Sequence, residues 1–183
     1  MLQGSDRWET LGKEYAYRGR LVRVRLDTVR LPTGRDATWE VVEHPAAVAI
    51  LAVEAGAAVL VRQYRHVVGQ ELLEVPAGLL KPGEDPLEGA RRELAEEAGC
   101  RARVWEPALR FYTSPGFTDE VIHLFIARDL EWSQSRPDRH EFIRVVRLPR
   151  PQWVAAMRDG RIRDAKTITA LLWALAEDGF ECN

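Results

Sequence analysis

Strand-like alternation opens the chain. Val22, Val24 and Leu26 alternate with Arg23, Arg25 and Asp27, a period of two that sets apolar side chains on one face. Residues 14–31 and 38–43 are expected to be extended, with a turn at Pro32-Thr33-Gly34. Two or three antiparallel strands of this kind are marginal alone and require a partner surface. The pattern changes near His44-Pro45. Residues 46–53 and 57–63 are nearly continuous apolar runs, as expected of buried strands, with a turn at 54–56. Further strands are expected at 71–75, 109–113, 121–127 and 142–148, and helices at 152–158 and 165–177. The mixture predicts an α/β (α+β) domain over residues 45–183, built as a mixed sheet between helices. A small antiparallel β-segment over residues 1–44 precedes it.

One segment has a helical period. Leu87, Ala90, Leu94 and Ala98 lie at helical spacing and are expected to face a core. Asp85-Pro86 is a good start, an N-cap acid followed by proline at the first helical position, and Gly99 is a good stop. Glu93, Glu96 and Glu97 are related as i, i+3 and i+4 and are expected to share another face. Like charges at that spacing repel by a few tenths of a kcal/mol per pair on a solvated helix, about 0.2–0.5. In a cleft the cost is larger unless a cation sits among them. A hard divalent ion with oxygen ligands fits, and Mg2+ coordinated to substrate phosphates is the usual form. Arg92, four residues before Glu96, is placed to orient it, and Glu84 is placed to act from the preceding loop.

Composition narrows the classes. With 183 residues, 46% of them hydrophobic, the chain can bury a proper core as one domain with a small appendage. A net charge of −2 provides no broad basic surface, so nucleic acid is not an expected partner. The longest apolar run, residues 46–53, is far too short to span a bilayer, and no signal peptide is read at the start. Cys100 and Cys182 have neither disulfide-framework nor metal spacing and read as thiols of a reducing cytoplasm. Only Lys13, Lys81 and Lys166 are lysines, so the basic residues are mostly arginine, which suits bidentate phosphate binding.

From Gly78 to Cys100 the sequence reads GLLKPGEDPLEGARRELAEEAGC. This segment resembles the Nudix box, GX5EX7REUXEEXGU with U aliphatic. Every fixed position matches except the last, Cys100, a small apolar residue that alters packing little. The resemblance implies a Nudix-type α/β/α sandwich. It also implies hydrolysis of nucleoside diphosphates linked to another moiety, with Mg2+ or Mn2+ held by a loop–helix–loop. Glu93 and Glu97 are then the main metal ligands, Glu96 is a further ligand or a base, and the Ala77 carbonyl completes the shell.

Further stretches are similar to the ADP-ribose pyrophosphatase subfamily: YRGRL at 17–21, VRQYR at 61–65, SPGFTDE at 114–120 and GRIRDAKT at 160–167. Pro115 lies 16 positions after Gly99, as a proline does in that subfamily. By resemblance Arg65 contacts phosphate, which a guanidinium pairs with well. Arg20 and Leu21 line the adenosine site, Glu40 receives the adenine amino group, and Trp39 stacks on the base. Pro115 and Gly116 shape the loop, and Glu120 accepts hydrogen bonds from the terminal ribose. The resemblance also implies a homodimer, in which the N-terminal strands of one subunit help build the partner's adenosine site.

The chain departs from its relatives in the loop RPDRHE at 136–141, where they commonly carry several acids. Glu141 aligns with the acid nearest the last strand, and Arg139 replaces a neighbouring one. The base is therefore Glu141, Glu96 or a metal-bound hydroxide, and His140 reads as incidental. The expected reaction is metal-assisted hydrolysis of ADP-ribose to AMP and ribose 5-phosphate. A broader hydrolase acting on FAD, NADH or a GDP-sugar, and a non-catalytic ADP-ribose sensor, are the alternatives.

Overall fold

In the computed structural model, residues 8–133 and 142–180 are described, with side chains to residue 177. They fall into two compact units, Met1–Pro45 with Tyr112–Val121, and Ala46–Phe111 with Ile122–Asn183. The units part between Pro45 and Ala46 in this stretch of the chain. Unforeseen from the sequence, residues 112–121 join the first unit.

The first unit is a three-stranded antiparallel sheet in the order β1 (Glu9–Arg18), β2 (Arg23–Arg30), β3 (Asp36–Glu43). The single extended stretch expected at 14–31 is thus two strands with a turn at 19–22. Register shifts between Thr10 and Gly12 and between Tyr15 and Tyr17 irregularise the β1–β2 ladder. The alternation of β2 is only half realised, because Asp27, expected on the solvated face, is 7% exposed. Arg25 Nε donates to Asp27 Oδ1 at 2.8 Å, and Arg25 also pairs with Glu43, whose carboxylate accepts from Tyr15 Oη. Charge pairing, not polarity alone, decides which side chains this sheet buries.

The second unit holds a seven-stranded mixed sheet. Its path runs β10 (Arg144–Pro149), β5 (Ala57–Arg65), β4 (Ala47–Glu54), β9 (Val121–Trp132), β8 (Cys100–Tyr112), and β6 (Gln70–Glu74) and β7 (Ala77–Leu79) pair with β5 and β4. β4 is parallel to β9 and antiparallel to β5 and β7. β4 is apolar at every position through Val53 because both its faces are covered. Ala47, Ala49 and Leu51 pack with Trp153, Ile162 and Leu171, from the side of α2 (Trp153–Arg158) and α3 (Ala165–Phe180). Val48, Ile50 and Ala52 pack with Ala90, Leu94 and Ala98 on the other face. The period of two along one strand therefore builds the three layers of the expected sandwich.

The boxed helix forms as its caps predict. α1 (Pro86–Glu93) starts at Asp85, whose carboxylate accepts from the backbone N–H of Leu87 and Glu88 at 2.9 and 3.2 Å. The expected uninterrupted helix is corrected here: Leu94–Ala98 is a π turn, closed by Gly99 in the left-handed region at φ 68°. A π turn hydrogen-bonds i to i+5, so four residues nearly complete a turn and three fall short. Glu93 and Glu97 are accordingly both buried, at 9% and 3% exposure, whereas the Glu96 side chain is 42% exposed. Glu96 does not share their buried environment.

Candidate active site

The carboxylates of the second unit are seated by backbone. β7 runs beside them, and an added Cβ on Gly78 would lie 2.1 Å from Glu93 Cδ, so only glycine lets that carboxyl approach so closely. The adjacent Ala77 N–H donates to Glu97 Oε2 at 2.9 Å. The sequence singled out Gly78 only as a motif position; its close approach to Glu93 is the physical reason.

Arg92 gathers the remaining charge. Its Nε and Nη2 donate to the two oxygens of Glu84 at 2.9 Å each, and Nη2 also reaches the Leu79 carbonyl at 3.1 Å. Its Nη1 meets Glu93 Oε1 at 2.5 Å and Glu96 Oε2 at 3.2 Å. Arg92 therefore orients Glu96 as its spacing predicts, and it holds Glu84 and Glu93 as well. These bonds hold the Arg92 guanidinium above its ordinary value, the Glu84 hydrogen bond first among them. The Arg92 fork, helped by the Lys81 N–H, draws the Glu84 carboxyl down to about 2.

Arg65 lies at the end of β5. Its Nε and Nη2 donate to Glu74 Oε1 and Oε2 at 2.8 Å each, and its side chain is 41% exposed. The negative charge of Glu97 acts on it, behind the larger effect of Glu74. Glu74, 1% exposed, escaped the sequence reading, as did its second partner Lys166; only the polarity of a residue inside an apolar strand run pointed to it.

The donor set fits a hard divalent ion. Glu93 and Glu97 offer carboxylate oxygens from buried positions, and Glu96 offers one from a more exposed position. Among the described residues no three His, Cys, Asp or Glu side chains close a metal cage by themselves. The fit is to the open form in which one or two carboxylates and the substrate's phosphates share the ion.

In the first unit, Trp39, Glu40, Tyr112, Pro115, Gly116 and Phe117 line, with their neighbours, a cavity of about 380 Å3. Trp39 is 45% exposed, and its ring stands 5.5 Å from that of Trp8. The loop at 114–119 is tied to β3 by Val42 N–H to the Phe117 carbonyl at 2.7 Å. Trp39, Glu40, Pro115 and Gly116, each singled out in the sequence, share this lining. Arg20, Leu21 and Glu120 are not part of that lining. Glu120 instead accepts from Thr113 Oγ1 at 2.7 Å and meets His44 Nδ1 at 3.0 Å. Glu141, the candidate base, lies outside the described residues, as does His140.

A family model described as NUDIX domain matches residues 42–171, and one described as nucleoside diphosphate sugar hydrolase N-terminal domain matches residues 8–42. The chain belongs to the Nudix family. The first match covers the carboxylate site and the sandwich as far as the first half of α3, and the second spans the three-stranded sheet to within one residue of its end. A methanol dehydrogenase activator of Bacillus methanolicus is 36% identical over 94% of this chain and 95% of its own. An ADP-ribose pyrophosphatase of Bacillus subtilis is 34% identical over the same shares. A solved structure described as an ADP compounds hydrolase superposes with a TM-score of 0.87 at 24% identity, covering 96% of each chain, and so shares the Nudix fold. With family, box and sandwich in agreement, the chain is a Nudix hydrolase. No helix among the described residues is long and apolar enough to cross a membrane.

Proposed function

We propose that this Nudix hydrolase cleaves the pyrophosphate bond of ADP-ribose, giving AMP and ribose 5-phosphate. The observation that carries the reading is the buried pair Glu93 and Glu97, one seated on Gly78 and the other on the Ala77 N–H. The Bacillus subtilis relative's name supports the substrate. Glu93 and Glu97, with Glu96 and the Ala77 carbonyl, are the residues that would hold Mg2+, or Mn2+ in its place. That ion, when bound, neutralises diphosphate charge and acidifies a water. Arg92 keeps Glu93 and Glu96 aligned between turnovers. Arg65 contacts a phosphate oxygen. Either Glu96 or Glu141 takes the proton of the attacking water; the new P–O bond forms as the bridging anhydride bond breaks.

Nucleoside contacts fall to Trp39 and Glu40 in the cavity beside Pro115 and Gly116, with Arg20 and Leu21, and Glu120 accepts from the terminal ribose. The sheet β1–β3 leaves Trp8, Leu11, Tyr17, Leu21 and Trp39 exposed, more apolar surface than an isolated sheet of this size tolerates. A second copy covering it makes the chain a homodimer, and the composition suits the cytoplasm.

A second reading, hydrolysis of another nucleoside diphosphate sugar such as a GDP-sugar, is favoured by the description of the family matched at residues 8–42. Turnover of ADP-ribose, FAD, NADH and GDP-mannose, followed by release of AMP or GMP, separates the two. ADP-ribose is expected to have the highest kcat/KM. A faster reaction with GDP-mannose or FAD overturns the substrate assignment and leaves the reaction class.

A further inference from the structure

Arg65 belongs to a charged network at the N-terminus of α3 whose other members have no part in the reading above. Glu74 is 1% exposed, yet it carries two cations: Arg65 through its side-on fork, and Lys166, whose Nζ lies 2.5 Å from Glu74 Oε2. Lys166 also donates to Asp164 Oδ1 at 2.9 Å. Asp164 caps the helix, accepting from the Thr167 N–H at 3.0 Å and from its hydroxyl. The Thr167 hydroxyl oxygen, fully buried, accepts in turn from the Val75 N–H at 2.8 Å. Lys166 and Glu74 are 92 residues apart in sequence, so the fold, not local propensity, makes this contact.

Two features show what the network does. Burial pushes the Glu74 carboxyl up, but Arg65 and Lys166 together outweigh it and hold it below its ordinary value, so it stays ionised. An ionised, immobile carboxylate is a rigid template for a guanidinium. The fork uses the Nε–H and Nη2 edge of Arg65, so Nη1 takes no part in it. The second feature is the strand itself. Val75 is tied to α3 through Thr167, and Ala77, two residues on, is tied to Glu97. The tract that carries the Arg65 template therefore also carries the backbone donor of a candidate metal ligand.

We propose that Lys166 and Glu74 are positioning residues for Arg65: Lys166 fixes Glu74, and Glu74 fixes the guanidinium that meets the substrate's diphosphate. The inference rests on the phosphate role assigned to Arg65 above. Neither Lys166 nor Glu74 touches substrate. Lys166 supplies the second positive charge that Glu74 needs once Arg65 turns part of its charge to a phosphate. Without it Glu74 is a buried carboxylate with one shared partner, and the fork loosens.

The test is a double-mutant cycle on the best diphosphate substrate, joined to a spectroscopic readout. Lys166→Met, which keeps the stem and removes the charge, should lower kcat/KM about 10–100-fold, the scale of a misplaced substrate-contacting group. Lys166→Arg should restore most of it. In an Arg65→Ala background Lys166→Met should have less than about a twofold further effect, because a residue that acts only through Arg65 has nothing left to act on. The Arg65 Nε–H resonance should exchange at least about tenfold faster in Lys166→Met than in the wild type, as expected when a partly buried hydrogen bond opens more often. An equal loss from Lys166→Met in both backgrounds, or an unchanged Arg65 Nε–H exchange rate, overturns the proposal. If Lys166→Met does not fold, the exchange comparison is made on Lys166→Gln, where unchanged Arg65 exchange again overturns it. An Arg65→Ala variant as active as wild type sinks the phosphate role of Arg65 instead, and the exchange result still decides whether Lys166 positions it.

Discussion

The two compact units bury charge in opposite circumstances. In the second, Glu74, Glu93 and Glu97 lie within a sandwich whose sheet is covered on both faces, and each has a cationic or backbone donor from the same unit. In the first, Arg25, Asp27 and Glu43 satisfy one another, but most of β1 is exposed, and so are seven large apolar side chains, Trp8, Leu11, Tyr17, Leu21, Trp39, Tyr112 and Phe117. A region whose charges and core are complete in itself can hold reactive groups still. A region complete in its polar contacts and open in its apolar ones is built to be covered.

That contrast breaks most visibly if the first unit is removed. Deleting residues 1–44 should abolish the homodimer and give monomer or aggregate by sedimentation, while the full chain stays dimeric at micromolar concentration. A full-length monomer would remove the need for a partner surface. Within the second unit, Gly78→Ala should cost about 10–100-fold in kcat with little change in melting temperature, because the new methyl displaces a flexible carboxylate and not backbone. Unchanged kcat would mean the position of Glu93 does not matter. Within the first unit, Glu120→Ala should raise KM for ADP-ribose by the equivalent of about 1–3 kcal/mol, with kcat far less affected. The change should matter less for FAD, whose second moiety differs, and equal harm to both substrates defeats the ribose assignment. The smallest effect concerns acid. Glu84 is drawn from 4.5 to about 2. A lowered carboxyl contributes stability that is complete above its unfolded value and is lost as pH falls through the folded one. Acid unfolding of Glu84→Gln should therefore differ from wild type above pH about 4.5 and converge with it near pH 2. Curves that stay parallel throughout deny the Arg92–Glu84 linkage.

Patterns decided by burial on two faces were easy to read. β4 and β5 are apolar because both faces are packed, and the boxed helix has unambiguous caps at Asp85 and Gly99. Features set by long-range pairing were not. β8 was expected to begin near Leu109 but starts at Cys100, since Arg101, Arg103 and Pro107 interrupt its apolar pattern while Glu106 pairs with Arg128 on the neighbouring strand. β7 is three residues long, below any periodic signal, yet it seats Glu93 and Glu97. The π turn leaves Leu94, Glu97 and Ala98 buried and the Glu96 side chain 42% exposed, and spacing alone does not distinguish it from an α turn. Cys100, read from the sequence only as a free thiol, is buried: burial pushes it up to about 11, which makes it a poor nucleophile near neutral pH.

The central claim is that the Glu93–Glu97 pair of the second unit is a metal-dependent hydrolytic centre. The most direct measurement is AMP release from ADP-ribose by wild type and Glu97→Gln, in chelator and in saturating Mg2+. The account predicts activity near zero in chelator, recovery in Mg2+ or Mn2+, and a kcat at least about 10²-fold lower for a folded Glu97→Gln variant, since a lost ligand disables Lewis-acid catalysis. Full activity of Glu97→Gln in saturating Mg2+ would contradict it.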